Sequence, residues 1–286
     1  MKHREFENKS VAVLGLGIIG GRVANRLTLD GWDMRAWNRT PKPFHGMVSS
    51  PEEAVDGASW VSLYLKDSEA VRSVIDSIRP SLARGMVVLN HSTVDLETTM
   101  WLDEICRQHR VGFLDAPFTG SRDAAADGRL VYYIGGDRLL AGRADGLLAV
   151  SSSSTLVCGP VGAATVVKLA TNLVSACTVQ ALAEGMAIAS RHGVEPKKFT
   201  EAVAANACGS PLAAMKLPTM ANGEFTPHFS LGNMAKDSRY ALKLAKAAEL
   251  ETPAITSVSG RMHELAAEGL DALDYSVLAK PYLKPR

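Results

Sequence analysis

Residues 11–27 read VAVLGLGIIGGRVANRL: an apolar strand, a turn with glycine at 15, 17 and 20, and then a helical run. That order, strand then glycine turn then helix, is what a dinucleotide-binding unit requires. The first glycine permits a tight turn and the second lets backbone approach a pyrophosphate. The third lets helix and strand pack closely, while the helix N-terminus offers N–H groups to the anion. Gly15, Leu16, Gly17, Ile18, Ile19 and Gly20 are therefore read as the pyrophosphate turn. About twenty residues further on, an NAD site usually carries Asp or Glu for the ribose hydroxyls. Here the position reads Asn38-Arg39-Thr40. Without a carboxylate there is no repulsion against a 2′-phosphate, Arg39 has the fork to grip one, and Asn38 and Thr40 add donors. NADP(H) is the expected cofactor; a solvated loop arginine is the competing reading of Arg39.

From Ser10 to Cys158 short β-rich runs alternate with helical stretches. The expected strands are 11–14, 34–37, 60–64, 86–90, 112–115, 131–134 and 155–157, with helices over 19–29, 68–78, 96–108 and 138–149. Such alternation specifies a Rossmann-type α/β fold, a doubly wound and largely parallel sheet with helices on both faces. Beyond Gly159-Pro160 no strand is expected, and helical patterns dominate. Residues 163–192 read as one long helix ending at Gly193; at ~1.5 Å per residue it spans roughly 45 Å and is suited to join two domains. The expected organisation is a nucleotide-binding domain over 1–160 and an all-α domain over 161–286. Ser151–Ser154 reads as a polar loop.

Composition removes several alternatives. The 31 Lys+Arg against 30 Asp+Glu leave a net charge of +1, and aromatics make up 6% of the chain. Neither a nucleic-acid surface nor a strongly acidic partner is implied. The N-terminal MKHREFENKS is charged and unlike a signal peptide. Leu169–Ser190 is apolar but interrupted by Asn172, Gln180 and Glu184, and reads as a buried helix rather than a membrane span. Cys106, Cys158, Cys177 and Cys208 show no metal or disulfide spacing, as expected of reduced thiols in a cytoplasmic protein, and no metal is expected.

Five ordered motifs carry a resemblance: GLGIIG near the start, HSTVD at 91–95, and DAPFTGS at 115–121 followed by ADGRL, then GPVGAATVVKLATN at 159–172 and FSLGNMAKD at 229–237. Together they resemble the β-hydroxyacid dehydrogenase family, which includes 3-hydroxyisobutyrate and 6-phosphogluconate dehydrogenases. The run TGSRDAAADGRL looks most like the glyoxylate and succinic semialdehyde reductase branch. The resemblance implies Lys168 as the catalytic lysine, with Asn172 four residues on and so on the same helix face. Periodicity alone leaves room for a lysine snorkelling to the surface.

The resemblance also implies that Thr93 and Leu65 touch the cofactor, with Lys236 near it. It places Thr119, Gly120, Ser121, Phe229 and Asp237 about the substrate. Thr119 stands where the family has Ser, and Lys66 where relatives commonly have Pro. Arg122 is an extra cation that either grips a distal anion or faces solvent. The expected reaction is hydride transfer from NADPH to a small aldehyde or 2-oxo acid, or the reverse oxidation of a β-hydroxyacid. Lys168 polarises the carbonyl and supplies the proton. Two rivals are an imine reductase, whose group usually replaces the lysine with Asp or Tyr, and a non-catalytic NADP(H)-binding regulatory module. The family further implies a homodimer or higher homo-oligomer; the expected partner is a small carboxylate-bearing substrate, and composition leaves neither nucleic acid nor membrane as one.

Overall fold

The structure, a computed structural model, describes residues 9–283; the charged segment at residues 1–8 lies outside it. The chain divides into two compact units, Met1–Lys168 and Leu169–Arg286.

In the first unit, β1 (Ser10–Leu14), β2 (Asp33–Trp37), β3 (Trp60–Leu63), β4 (Val87–Asn90) and β5 (Gly112–Asp115) run parallel in the spatial order 2-1-3-4-5. The apolar runs explain why. β1, β3 and β4 are buried at every position, as strands covered on both faces must be. Val11 and Val13 join one core with α1 (Gly20–Leu29), while Ala12 and Leu14 join the opposite core. On that second face lie α2 (Pro51–Val55), α3 (Ser68–Ile78) and α4 (Leu96–Gln108).

The sheet continues through β6 (Phe118–Thr119), α5 (Arg122–Ala126), β7 (Leu130–Gly136), α6 (Arg138–Ala149) and β8 (Ser152–Gly159). β7 runs antiparallel to β5 and β6, and β8 runs parallel to β7. β8 corrects the reading of residues 151–154 as a loop: Ser152 pairs with Leu130 and Ser154 with Val131, so the ladder makes strand of residues that do not favour it.

Beyond β8 every named element is helical: α7 (Ala163–Arg191), α8 (Pro196–Ala204), α9 (Pro211–Asn222), α10 (Leu231–Ala247), α11 (Pro253–Leu265) and α12 (Lys280–Leu283), with short turns of helix at 266–270 and 275–279. By length and composition α7 is able to cross a bilayer. Its Ala176, Val179, Ala183 and Met186 are buried in the core of the helical unit with Leu217, Met234, Ile255 and Val277.

Candidate active site

The parallel strands end in register: Leu14 pairs with Trp37 and Leu63, Leu63 with Asn90, and Asn90 with Asp115. The next residue of each strand therefore stands on one edge, the carboxyl edge where open α/β sheets bind ligands. The order 2-1-3 reverses direction at β1, so the glycine turn occupies the switch point.

Each glycine answers a different demand. Gly15 has φ +105°, and a Cβ there would lie 2.3 Å from the Tyr64 carbonyl oxygen. A Cβ on Gly20 would lie 2.0 Å from the Gly15 carbonyl oxygen and 2.8 Å from Tyr64 Cβ. A Cβ on Gly17 would meet nothing within 4 Å. The first and third glycines thus serve packing; the second leaves open space for a ligand to approach. α1 begins without a side-chain cap and without an acidic residue in its first turn, whereas Asp67, Asp95 and Asp137 cap α3, α4 and α6. An uncapped helix start beside open space fits a dinucleotide pyrophosphate.

Around that turn, Asn38 Oδ1 accepts from Leu16 N at 2.8 Å and its Nδ2 donates to the Thr40 carbonyl at 2.7 Å. The Asn38 amide is thus engaged in shaping the loop, while Arg39 and Thr40 are exposed. Lys42, which sequence reasoning passed over, donates from Nζ to the Leu16 carbonyl at 2.8 Å and brings a second cation to the same loop. A lysine two residues beyond Thr40 is the only signal for it.

After β3 and β4, Ser92 Oγ accepts from Leu65 N at 2.8 Å and donates to the Leu63 carbonyl at 3.2 Å, fixing Leu65 beside Thr93. Asp95 caps α4. His91 stacks on Tyr64 with ring centroids 4.5 Å apart, and its Nδ1 lies 2.8 Å from the Ala116 carbonyl. Burial pushes the His91 pKa down to about 4, so it is a neutral packing group.

Past β5, Thr119 ends β6, Gly120 has φ +134°, and Ser121 caps α5 by accepting from Ala124 N at 3.2 Å. Thr119, Gly120 and Ser121 thus span the end of a strand, a glycine and a helix cap. Arg122 Nε donates to Asp123 Oδ1 at 3.0 Å on a half-exposed side chain.

Lys168 and Asn172 sit one turn apart on α7, and each is only 9% exposed. Burial at that level replaces the surface-reaching lysine that periodicity allowed. Within the helical unit, Asn172 Nδ2 donates to Asp237 Oδ2 at 2.7 Å. Lys236 Nζ lies 3.1 Å from Asp237 Oδ1, and the carboxylate is 1% exposed. Phe229, half-buried, packs edge-on to Tyr275 just before Ser230 caps α10. Asn172, Lys236 and Asp237 are therefore one polar cluster, with Phe229 on the segment that leads into α10. Among the described residues no group of three or more His, Cys, Asp or Glu side chains is placed to hold a metal ion.

Two family models cover almost all of this framework. Residues 10–159 match the one described as the NAD binding domain of 6-phosphogluconate dehydrogenase. Residues 162–282 match the one described as NAD-binding of NADP-dependent 3-hydroxyisobutyrate dehydrogenase.

The protein belongs to the β-hydroxyacid dehydrogenase family. As a member of that family it is an oxidoreductase that uses a nicotinamide cofactor. A chloroplastic glyoxylate/succinic semialdehyde reductase 2 of Arabidopsis thaliana is 28% identical, over 96% of this chain and 79% of its own. An NAD-dependent L-serine dehydrogenase of Pseudomonas aeruginosa is 27% identical, over 95% of this chain and 97% of its own. Among solved structures, Mycobacterium tuberculosis 3-hydroxyisobutyrate dehydrogenase with L-serine shares the fold. Its TM-score is 0.88 at 24% identity, over 96% of this chain and 99% of that one.

Proposed function

We propose that this β-hydroxyacid dehydrogenase is a cytoplasmic, NADPH-dependent reductase of short aldehydes or 2-oxo acids of the glyoxylate and succinic semialdehyde kind. The product is the hydroxy acid, and the reverse reaction oxidises a β-hydroxyacid. The observation that carries the reading is Lys168, an ammonium buried on an apolar helix one turn from Asn172. Taking a cation out of water is costly, and a lysine held beside Asn172 in this way suits a role at a developing negative charge. Reduced nicotinamide supplies the hydride when bound. Lys168 donates a hydrogen bond to the carbonyl oxygen and then delivers its proton there. Asn172, its amide oriented by Asp237, holds the lysine or the substrate in line.

Residues 1–160 serve the dinucleotide, and residues 161–286 serve substrate binding and dimer formation. The turn 15–20, Leu65, Thr93 and Lys236 are assigned to the cofactor; Arg39, Thr40 and Lys42 are assigned to its 2′-phosphate. Thr119, Gly120, Ser121, Arg122, Phe229 and Asp237 are assigned to a carboxylate-bearing substrate. A homodimer is favoured by the outer stripe of α7. Val166, Ala170, Val174, Ala181 and Ile188 are all exposed and fall within about 80° of one another around the helix.

Steady-state NADPH oxidation with glyoxylate, succinic semialdehyde and butanal tests the substrate class, and fluorescence titration tests the cofactor. NADPH is expected to bind at least ~10-fold tighter than NADH, a difference of ~1.4 kcal/mol. An uncharged aldehyde leaves carboxylate donors unpaired at ~1.5–3 kcal/mol each, so butanal is expected to trail the acids by ~10²-fold in kcat/KM. Butanal turnover equal to that of succinic semialdehyde, or equal affinities for the two cofactors, would remove the corresponding half of the reading.

A further inference from the structure

Most helices of the sheet unit are capped by the residue that precedes them; α7 is held from a strand. Asp115, the last residue of β5, is 0% exposed. Its Oδ2 accepts from Thr165 N at 2.8 Å, and its Oδ1 accepts from Thr165 Oγ1 at 2.8 Å. Thr165 Oγ1 also lies 2.9 Å from Thr99 Oγ1 of α4, so one threonine in the first turn of α7 is tied to a strand and to a second helix. The packing there leaves no slack. A Cβ on Gly135 of β7 would come within 2.8 Å of the Pro160 carbonyl oxygen, 3.2 Å of Ala164 N and 3.3 Å of Asp115 Oδ2.

We propose that Asp115 is a positioning residue: a carboxylate delivered by β5 that anchors the first turn of α7 and thereby sets the rotation and height of Lys168. The inference rests on the role given to Lys168 above. Thr165 is the third residue of α7, where the backbone N–H has no acceptor inside the helix. An anion at the positive end of a helix is favourable there. A cap supplied by the preceding residue would satisfy that N–H equally well, but it would move with the helix end. A cap supplied from β5 ties the helix to the sheet. Lys168 follows Thr165 by three residues, a rise of ~4.5 Å and almost one full turn, so a slip at Thr165 is carried directly to the lysine. Full burial of a carboxylate is expensive, but the preceding residue cannot supply the cap: Gly162 is buried with φ +90°, and a Cβ there would lie 2.7 Å from Leu96 Cδ1.

The test uses Asp115→Asn, Thr165→Val, the double variant and Thr165→Ser in the full chain. Measured are kcat, KM, NADPH affinity and amide exchange in the first turn of α7. Displacing a reacting group by ~1 Å costs up to ~10²-fold, so Asp115→Asn and Thr165→Val are each expected to lower kcat ~10-fold or more. NADPH affinity should stay within about two-fold of wild type and Thr165 exchange should quicken. The double variant should be no worse than the worse single, because both break one link. Thr165→Ser keeps both bonds and should restore kcat. The anchor is overturned by an Asp115→Asn variant with unchanged kcat, by parallel loss of kcat and NADPH binding, or by additive losses in the double variant. If Lys168→Ala itself keeps turnover, the role of Lys168 falls, and exchange at Thr165 alone decides whether Asp115 anchors α7.

Discussion

At the carboxyl edge of the sheet the protein presents backbone; in the helical unit it presents side chains. The glycine turn works by omission, with Gly15 and Gly20 clearing space for Tyr64 and for the turn itself, and Gly17 leaving space open. The helical unit works by burial. Asn172, Lys236 and Asp237 form one polar cluster, and Lys216 of α9 forms a second with Asp274. That second pair is the more enclosed, at 2% and 1% exposure, and Lys216 Nζ reaches Asp274 Oδ1 at 2.7 Å. Asp274 also accepts the N–H groups of His228, Phe229 and Ser276, so the pair fixes the chain that leads into α10. Burial pushes the Asp274 carboxyl up, but the Lys216 ammonium and these N–H groups outweigh it and hold the pKa below its ordinary value. Backbone sites tolerate changes of charge and fail on added volume; buried pairs do the reverse.

The largest expected effect therefore comes from Lys216→Met, which keeps volume and removes charge. Breaking a buried pair from one side costs ~3–5 kcal/mol. In a protein of this size that lowers Tm by roughly 10 °C. The double variant Lys216→Met, Asp274→Asn should recover part of the loss, since no unpaired ion remains. Calorimetry that finds Lys216→Met melting with wild type would place the helical unit's stability elsewhere.

A smaller effect separates the glycines of one turn. Gly20→Ala forces a Cβ against the Gly15 carbonyl and should lower Tm. Gly17→Ala meets no protein atom, so Tm should hold while NADPH binds ~10-fold more weakly, about 1.4 kcal/mol. Titration of Gly17→Ala with wild-type affinity would mean that the open space is not where the pyrophosphate lies.

The same contrast explains what the sequence disclosed. The strands from β1 to β5 were legible because each is an apolar run between turn signals, and the glycine spacing was legible because its demand is local. β6 and α5 were missed: two residues are too short for a period, and Phe118 and Thr119 become strand only by pairing with Tyr132 and Val131. The serines of β8 read as a loop for the same reason. Lys168, Asn172, Lys236 and Asp237 come from resemblance, since an apolar pattern marks a buried helix but gives no role to the polar side chains on it. Lys216 and Asp274 stand 58 residues apart and carry no motif. Asp115 lies in the DAPFTGS run but carries no local signal of its role, because its partner Thr165 lies 50 residues away.

The smallest expected effect tests whether the sheet edge is backbone alone, because two buried titratable groups stand on it at neighbouring strand ends. Burial lowers the pKa of His91 from 6.5 to about 4. Burial raises that of Asp115 from 3.8 to about 6, against the N–H and hydroxyl of Thr165. Below pH 6.5 an unfolded chain protonates its histidine while His91 stays neutral, so this group's contribution is complete above 6.5 and is lost as pH falls to about 4. Asp115 has the opposite sign: its contribution is complete below 3.8 and is lost as pH rises through about 6. Over the shared window from about 4 to about 6 the two oppose each other, so little of either slope shows in the wild-type protein. Taken relative to wild type, so that all other groups cancel, the two single variants should diverge. His91→Gln leaves Asp115 unopposed, and its Tm should gain on wild type as the solution is acidified. Asp115→Asn leaves His91 unopposed, and its Tm should lose ground over the same range. Thermal melts at half-unit steps of pH read both slopes, and two slopes of the same sign would show that the edge carries no such opposed pair.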